Sequence, residues 1–357
     1  MTSTRPTDGI DPTGLNREPR RRAGRIPGRI EIAPLALLIG FVSLLAFSKP
    51  SLLSVYALNV LAEESSVILI LATAQTLVVL LGGIDVSMAA VASLASVLIA
   101  LALPAIGSVS VIGVLAMTAL IGAAQGMLHA RARIPSFVVT LAGLGVWSGL
   151  ALTVAHTTIP IQGDYCAIAC LARSDLGLPN SFSLALTALA LVALSMRVLP
   201  VGRKIYAVGY AERVALLSGI RVKRVKVLVF SLAGLFAGMA GWVMTARTSS
   251  GSPTMATSLL LPSIAAVLIG GTSISGGVGG PGRTLIGALT ITILRVIFSA
   301  LGLNPAYEPI IYGVVLIAAV AATTDRSTVR VVKIVRPGTS LGRLAETTTC
   351  LTGIPGT

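Results

Sequence analysis

Apolar residues in this chain fall into ten long runs, at about 31–48, 58–82, 86–105, 108–129, 136–156, 183–200, 225–246, 257–272, 283–303 and 308–324. A bilayer's hydrocarbon core is about 30 Å thick, and a helix needs ~20 residues to cross it. Inside that core every backbone polar group must be satisfied within the segment, which leaves α-helices or closed barrels. Runs of this length point to helices. Hydrophobic residues make up 54% of the 357 and charged residues 11%. Soluble domains carry about 25% charged residues, so no soluble core could hide these runs. The expected fold is an all-α polytopic membrane protein with about ten transmembrane helices and both termini cytoplasmic. Its expected location is a membrane, which it crosses many times. Glu63 and Glu64 lie near the start of the second run, so that helix is expected to begin later or to lie partly at the interface. The eighth run is short and ends in glycines, which suggests a half-helix or a re-entrant segment.

The formal net charge of +14 is explained by its distribution. With the N-terminus inside, 23 of the 27 Lys and Arg residues fall in cytoplasmic segments. Only Lys49, Arg173 and Arg247 fall outside, and Arg295 lies within a span. Lys and Arg collect in cytoplasmic loops of membrane proteins, so the basicity needs no nucleic acid. Three regions follow: a disordered basic cytosolic tail over 1–30, a transmembrane domain over 31–324, and a second cytosolic tail over 325–357. Three cysteines are too few for a disulfide framework. Cys166 and Cys170 share the longest outside loop, 157–182, either as a disulfide or as two thiols. His129 and His156 stand at no metal-ligand spacing, so neither a metal nor a cofactor is expected. Gly145–Gly149 and Gly234–Gly238 have the spacing that lets membrane helices approach closely.

A few residues stand out against this apolar background. In the cytoplasmic loop 201–226, Tyr210, Val214, Leu217 and Ile220 recur near helical spacing, with Glu212 and Arg213 between them. That pattern reads as a short helix at the membrane surface, the alternative being a plain solvated basic loop. Asp85 follows Gly82 and Gly83 and precedes Ser87. It is read as an N-cap for the third span, or as a gate or solute contact at a helix broken by those glycines. Arg295 lies near the middle of the ninth run, where a cation marks a candidate functional site by default. A structural ion pair or a lipid-headgroup contact fits it equally well. Gln75 and Thr76 are polar neighbours in the second run, facing a path or bonding between helices.

Four ordered blocks carry a family resemblance. They are Gln75 to Ser87 (QTLVVLLGGIDVS), Arg133 to Leu144 (RIPSFVVTLAGL), the loop 201–226, and Ile264 to Gly282 (IAAVLIGGTSISGGVGGPG). Together they resemble the permease subunits of ribose-type monosaccharide ABC importers. The resemblance implies a second permease subunit, a cytosolic ATPase and an extracytoplasmic solute-binding protein as partners. It implies that Tyr210, Glu212, Arg213, Ala215, Leu216, Leu217, Ser218, Gly219 and Ile220 couple to the ATPase. Within that segment Leu216 and Leu217 would supply burial, and Glu212 and Arg213 a polar rim. Gln75, Thr76, Gly83, Asp85, Ser87 and Arg295 are the candidates for the translocation path or its gate, and Tyr307–Glu308 for a partner-protein contact. The chain has no G-x-x-x-x-G-K-[ST] phosphate loop, so another chain must bind ATP, and no catalytic residue is expected.

Ala211 stands where the family has Asn, a departure that bears on the details of docking and not on its location. Two others leave the solute open: Arg295 stands in place of an Asn, and Leu259 to Ser263 replaces an acidic segment. Permeases for nucleosides, branched-chain amino acids and signalling furanones are near neighbours. An ion-coupled secondary transporter is a separate class, with Asp85, Glu63, Glu64 and Arg295 as its few candidate coupling groups. A membrane serine protease is disfavoured, because Gly271–Ser275 lacks the last glycine of the nucleophile motif.

Overall fold

A computed structural model describes residues 28–48, 54–163, 165–175 and 177–323. The tails expected over 1–30 and 325–357 lie almost wholly outside the described residues. The first helix begins at Gly28, slightly before the predicted boundary.

The described residues form an all-helical bundle: α1 (Gly28–Ser48), α2 (Val55–Leu80), α3 (Met88–Ile106), α4 (Val109–Ala132), α5 (Ser136–Val154), α6 (Cys166–Ala172), α7 (Asn180–Val198), α8 (Pro200–Tyr210), α9 (Glu212–Leu217), α10 (Val222–Thr248), α11 (Leu260–Ile269), α12 (Pro281–Ala300) and α13 (Glu308–Thr323). Seven of these, α2, α3, α4, α5, α7, α10 and α12, are long and apolar enough to cross a membrane. Three shorter apolar stretches, Pro34–Phe47, Thr257–Ile269 and Glu308–Ile317, match the first, eighth and tenth runs. The eighth run folds as a 10-residue helix, α11, which ends at Gly270.

The core follows from composition. Helix α2 is apolar on all sides and is buried from Ser65 to Leu80, as a helix without a polar face must be. It packs on α7, α10, α11 and α12. Helix α10 packs on α2, α3 and α4. Hydrocarbon gives little hydrophobic drive between helices, so close van der Waals packing of small residues takes over. On α10, a Cβ at Gly234 would meet Thr118 O at 2.2 Å. On α4, a Cβ at Gly122 would meet Phe230 O at 2.1 Å. The two helices therefore touch backbone to backbone. By contrast, Gly145 and Gly149 on α5 have nothing within 4 Å among the described residues, so of the two glycine pairs it is Gly234–Gly238 that makes a helix contact there.

The second span is not shortened by its glutamates. Helix α2 starts at Val55, capped by Ser54, whose hydroxyl accepts from Ala57 N–H at 3.3 Å. Glu63 and Glu64 lie inside it, and both are met by Arg247 near the end of α10. Arg247 Nε is 3.2 Å from Glu63 Oε1, and its Nη2 bonds Glu64 Oε1. Pairing is what allows acidic groups into an apolar helix.

The segment 157–182 is ordered by short pairings. Ile159–Pro160 (β1) runs antiparallel to Ser250–Gly251 (β4), with Ile159 opposite Gly251. Ser174–Asp175 (β2) pairs with Leu178–Pro179 (β3). Cys166 and Cys170 sit one turn apart on α6, exposed, with sulfurs 3.1 Å apart. That is thiol contact, since a disulfide needs about 2.05 Å. Trp242 of α10 holds α6 by donating from Nε1 to Ala167 O at 3.0 Å.

Two substitutions separate the glycines. Gly122→Ala is expected to destabilise by about 1–3 kcal/mol, the cost of overpacking, because backbone cannot rotate away. Gly145→Ala is expected to be neutral, or to gain up to ~1 kcal/mol from helix propensity. Thermal unfolding in detergent, read side by side, checks both.

Candidate functional site

One end of the bundle gathers most of the unusual residues. There α2 finishes, the loop Leu81–Ser87 turns into α3, α4 ends, α5 begins, and α8 and α9 meet α10. The loop after α2 needs a special backbone, and Gly82 supplies it with φ +78°. Gly83 instead packs on a side chain, since its Cβ would lie 2.9 Å from Ser136 Oγ.

Helix α5 satisfies the backbone of this loop. Ser136 Oγ accepts from Ile84 N–H at 3.2 Å, and Thr140 Oγ1 accepts from Val86 N–H at 3.3 Å. Ser136 and Thr140 lie one turn apart on the same face. Ser87 holds the N-cap position of α3 and makes no side-chain cap bond. The Asp85 carboxylate, two residues earlier, does the capping: it accepts from Ser87 N–H at 2.8 Å, from Ser87 Oγ at 2.6 Å and from the backbone N–H of Met88, the first residue of α3. Asp85 is only 3% exposed, and these donors are what make a buried carboxylate tolerable.

Ser87 Oγ also lies 3.0 Å from Gln125 Oε1 on α4. A hydroxyl has one proton, and here two acceptors are in reach. Meanwhile Gln125 Nε2 and Trp147 Nε1 are buried without partners, and both lie against Gly143 of α5. Turning the amide over would resolve the first conflict: Nε2 would donate to Ser87 Oγ, and Ser87 would donate to Asp85. The result is a polar chain from the loop into the bundle.

The other sequence candidates lie elsewhere. Thr76 Oγ1 is 2.6 Å from Thr284 Oγ1 of α12 and also donates to Ala72 O, so it bonds between helices. Gln75 is completely buried, and neither amide atom has a partner among the described residues. Arg295 Nε lies 3.4 Å from Glu308 Oε2, and Tyr312 Oη bonds the same oxygen at 3.3 Å. Arg295 thus ties α12 to the start of α13. Gly83, Asp85 and Ser87 are brought together; Gln75, Thr76 and Arg295 share no hydrogen bond with them. Glu308 is engaged within the chain, while Tyr307 is exposed.

The segment Tyr210–Ile220 is not one helix. Ala211 adopts extended backbone (φ −158°, ψ 93°) between α8 and α9. Tyr210 therefore closes α8, and Ile220 lies beyond α9. Only Ala215 of α9 is buried; Val214, Leu216 and Leu217 are exposed, as is Tyr210. The carboxylate of Glu212 grips Lys226 Nζ with both oxygens, at 2.8 and 2.9 Å.

Glycines seat this segment on the bundle. A Cβ at Gly209 would meet Leu80 O at 1.8 Å and Gly277 N at 2.8 Å. Gly277 N–H itself donates to Leu80 O at 2.9 Å. Tyr206 Oη donates to Gly279 O at 2.9 Å. Burial raises the phenol's pKa from its ordinary value, so it stays a donor at neutral pH. The end of α8, the end of α2 and the glycine loop before α12 thus meet without intervening side chains. A cavity of about 290 Å³ lies beside this junction, lined by Gly82, Ile84, His129, Ser136, Glu212 and Lys226 among others. His129 Nδ1 is 2.6 Å from Ile134 O, and a carbonyl only accepts, so that nitrogen carries the proton.

Sequence reasoning missed Ser136, Thr140, Gln125, Trp147, Lys226 and Gly209. The first two are a polar pair at helical spacing in an apolar helix. Gln125 is a lone amide in an apolar run. Lys226 gave no signal beyond being one of many cations.

Sequence comparisons with known proteins identify relatives of the chain. Residues 57–320 match the family described as branched-chain amino acid transport system / permease component. The ribose import permease protein of Bacillus subtilis (strain 168) is 33% identical over 308 residues, covering 83% of this chain and 94% of the relative. That of Escherichia coli (strain K12) is 34% identical over 293 residues, covering 80% and 90%. The fructose import permease protein of Rhizobium meliloti is 33% identical over 307 residues, covering 81% and 84%. No solved structure matches significantly.

Two variants test the junction and the core. Gly209→Ala is expected to displace α8 from α2 and to cut the yield of folded protein in size-exclusion chromatography, while Gly282→Ala, with open space around it, leaves the yield unchanged. Gln75→Met is expected to raise stability by about 1–3 kcal/mol, by removing buried amide atoms that bond to nothing. A fall in the thermal midpoint would show that Gln75 has a partner, water included.

Proposed function

The chain belongs to the family of branched-chain amino acid transport system / permease components, and from that premise we propose that it is the membrane-spanning permease subunit of an ATP-driven ABC importer for a monosaccharide. The observation that carries the reading is the match of about four-fifths of the chain to ribose and fructose import permeases. The family description names amino acids, which keeps a branched-chain amino acid as the second reading. The named relatives, and the Gly82–Ser87 block in particular, favour the sugar.

In this reading the chain makes ten crossings, with α1, α11 and α13 completing the seven long spans. The distribution of Lys and Arg supports cytoplasmic termini. In this reading α8, α9 and the Asp85 loop lie on the cytoplasmic side, and Arg247, α6 and the start of α13 on the outer side. The chain sits in the bacterial cytoplasmic membrane, paired with a second permease subunit. A binding protein delivers solute outside, and a cytosolic ATPase docks on Tyr210–Ile220.

The coupling segment suits that role physically. Val214, Leu216 and Leu217 on α9, with Tyr210 at the end of α8, are exposed apolar groups outside the long spans. Apolar anchors that fill a partner's pocket carry most of the binding energy in an interface. ATP closing the ATPase would move the coupling segment, and the Gly209 junction would pass any movement of α8 to α2 and to the loop before α12. The energy is external, so the chain needs only a bistable packing that the partner biases.

Replacing Tyr210–Ile220 by a Gly/Ser linker is expected to abolish co-purification of a Walker-type ATPase that the native chain retains. Leu217→Asp alone is expected to weaken it about 30-fold, the equivalent of a ~2 kcal/mol anchor. Transport by this chain alone in liposomes, driven by an ion gradient, would overturn the importer reading. Competition of labelled ribose uptake by fructose but not by leucine is the result expected for a sugar permease.

A further inference from the structure

Helix α9 has a weak hold on the rest of the chain. It is six residues long, and Ala215 is its only buried residue. Extended backbone at Ala211 separates it from α8, and Gly219, with φ +80°, follows its end. A helix flanked by two such breaks can swing when a partner pulls it, unless a side chain fastens it. The fastening present is Glu212–Lys226, with both carboxylate oxygens on one ammonium at 2.8 and 2.9 Å.

The two partners are unlike. Glu212 is more than half exposed, whereas the Lys226 side chain is 12% exposed and lines the cavity beside the Asp85 loop. A mostly buried ammonium needs its counter-charge, since removal of one partner leaves an uncompensated buried charge. Exposed ion pairs in general do little; this one has a buried half and bidentate geometry.

Lys226 also stands on the right helix. It lies in the second turn of α10, and α10 meets α4 backbone to backbone at Gly122 and Gly234, so the two helices must move together. At the far end of the same helix Arg247 holds Glu63 and Glu64 of α2. One helix thus carries an ionic grip at each end, on α9 and on α2.

We propose that Glu212 is a positioning residue that acts through Lys226. The pair latches the coupling helix to α10, so that displacement of α9 drives the α4–α10 unit rather than swinging freely. Glu212 then faces inward to this chain and forms no part of the polar rim against the ATPase. This rests on the importer reading above and adds to it which side chain makes the connection.

The test is a charge swap in the complex purified with its own ATPase and reconstituted in proteoliposomes, with its solute-binding protein supplied on the outer side. Two quantities are read: the ATPase retained on the permease, and labelled ribose uptake per ATP hydrolysed. Glu212→Lys and Lys226→Glu are each expected to keep the ATPase bound and to lower uptake per ATP at least tenfold. The double swap is expected to recover most of it, which a direct ATPase contact by Glu212 would not allow. Lys226→Met removes the charge while preserving the packing of the stem. It is expected to elute as folded protein with the ATPase bound and uncoupled, which guards against misfolding of the reversals. Loss of the ATPase with Glu212→Lys and no recovery in the swap would assign Glu212 to the partner interface and overturn the latch. Full coupling in Lys226→Met would overturn it equally. Absence of any ATPase on the native chain would instead remove the importer reading itself.

Discussion

Backbone contact between α4 and α10 is the interaction on which the rest of the molecule depends. Without hydrophobic drive in hydrocarbon, helices associate through close packing, and Gly122 and Gly234 permit an approach that any Cβ would prevent. That contact makes one rigid unit of two long helices. Helix α10 then presents Lys226 to α9 at one end and Arg247 to α2 at the other. These charged residues are tied to the α4–α10 frame, and each is met by a counter-charge.

A second principle governs the loop after α2. Leaving a helix exposes backbone groups, and burying them without partners is costly. Ser136 and Thr140 meet the loop's N–H groups, Asp85 takes those at Ser87, and Gln125 extends the network into the bundle. The glycine junction at Leu80, Gly209 and Gly277 applies the same logic to a different end. Here the carbonyl left over by α2 is met by backbone from a distant loop. Such a joint has few side chains to rearrange, so it transmits displacement rather than absorbing it.

Much of the fold is legible in the amino-acid order alone. Each of the ten apolar runs corresponds to an apolar helix, and the short eighth run is a short helix, because length and hydropathy alone decide whether a segment suits a bilayer. The family is legible in four ordered blocks. The candidate site is legible only in part. Asp85 and Ser87 belong together because they are two residues apart, within reach of a local turn. Arg295 looks like an isolated cation in sequence because its partner Glu308 lies in the next helix. Glu212 looks like a surface charge, yet Lys226, 14 residues on, holds it. The periodicity through Tyr210 and Ile220 suggests one helix, and Ala211 breaks it by backbone conformation that no apolar pattern records.

By itself, then, the sequence determined the extent of the apolar helices, the membrane setting and the family, since these depend on composition along the chain. Tertiary structure decided the pairings: which glycines are contacts, which ions are neutralised, and what holds α9. Gly145–Gly149 and Gly234–Gly238 are the same motif in sequence, and among the described residues only the second has a neighbour. Electrostatic and steric partners are a matter of distances of a few ångström between residues far apart in the chain, and those distances exist only once the helices have packed.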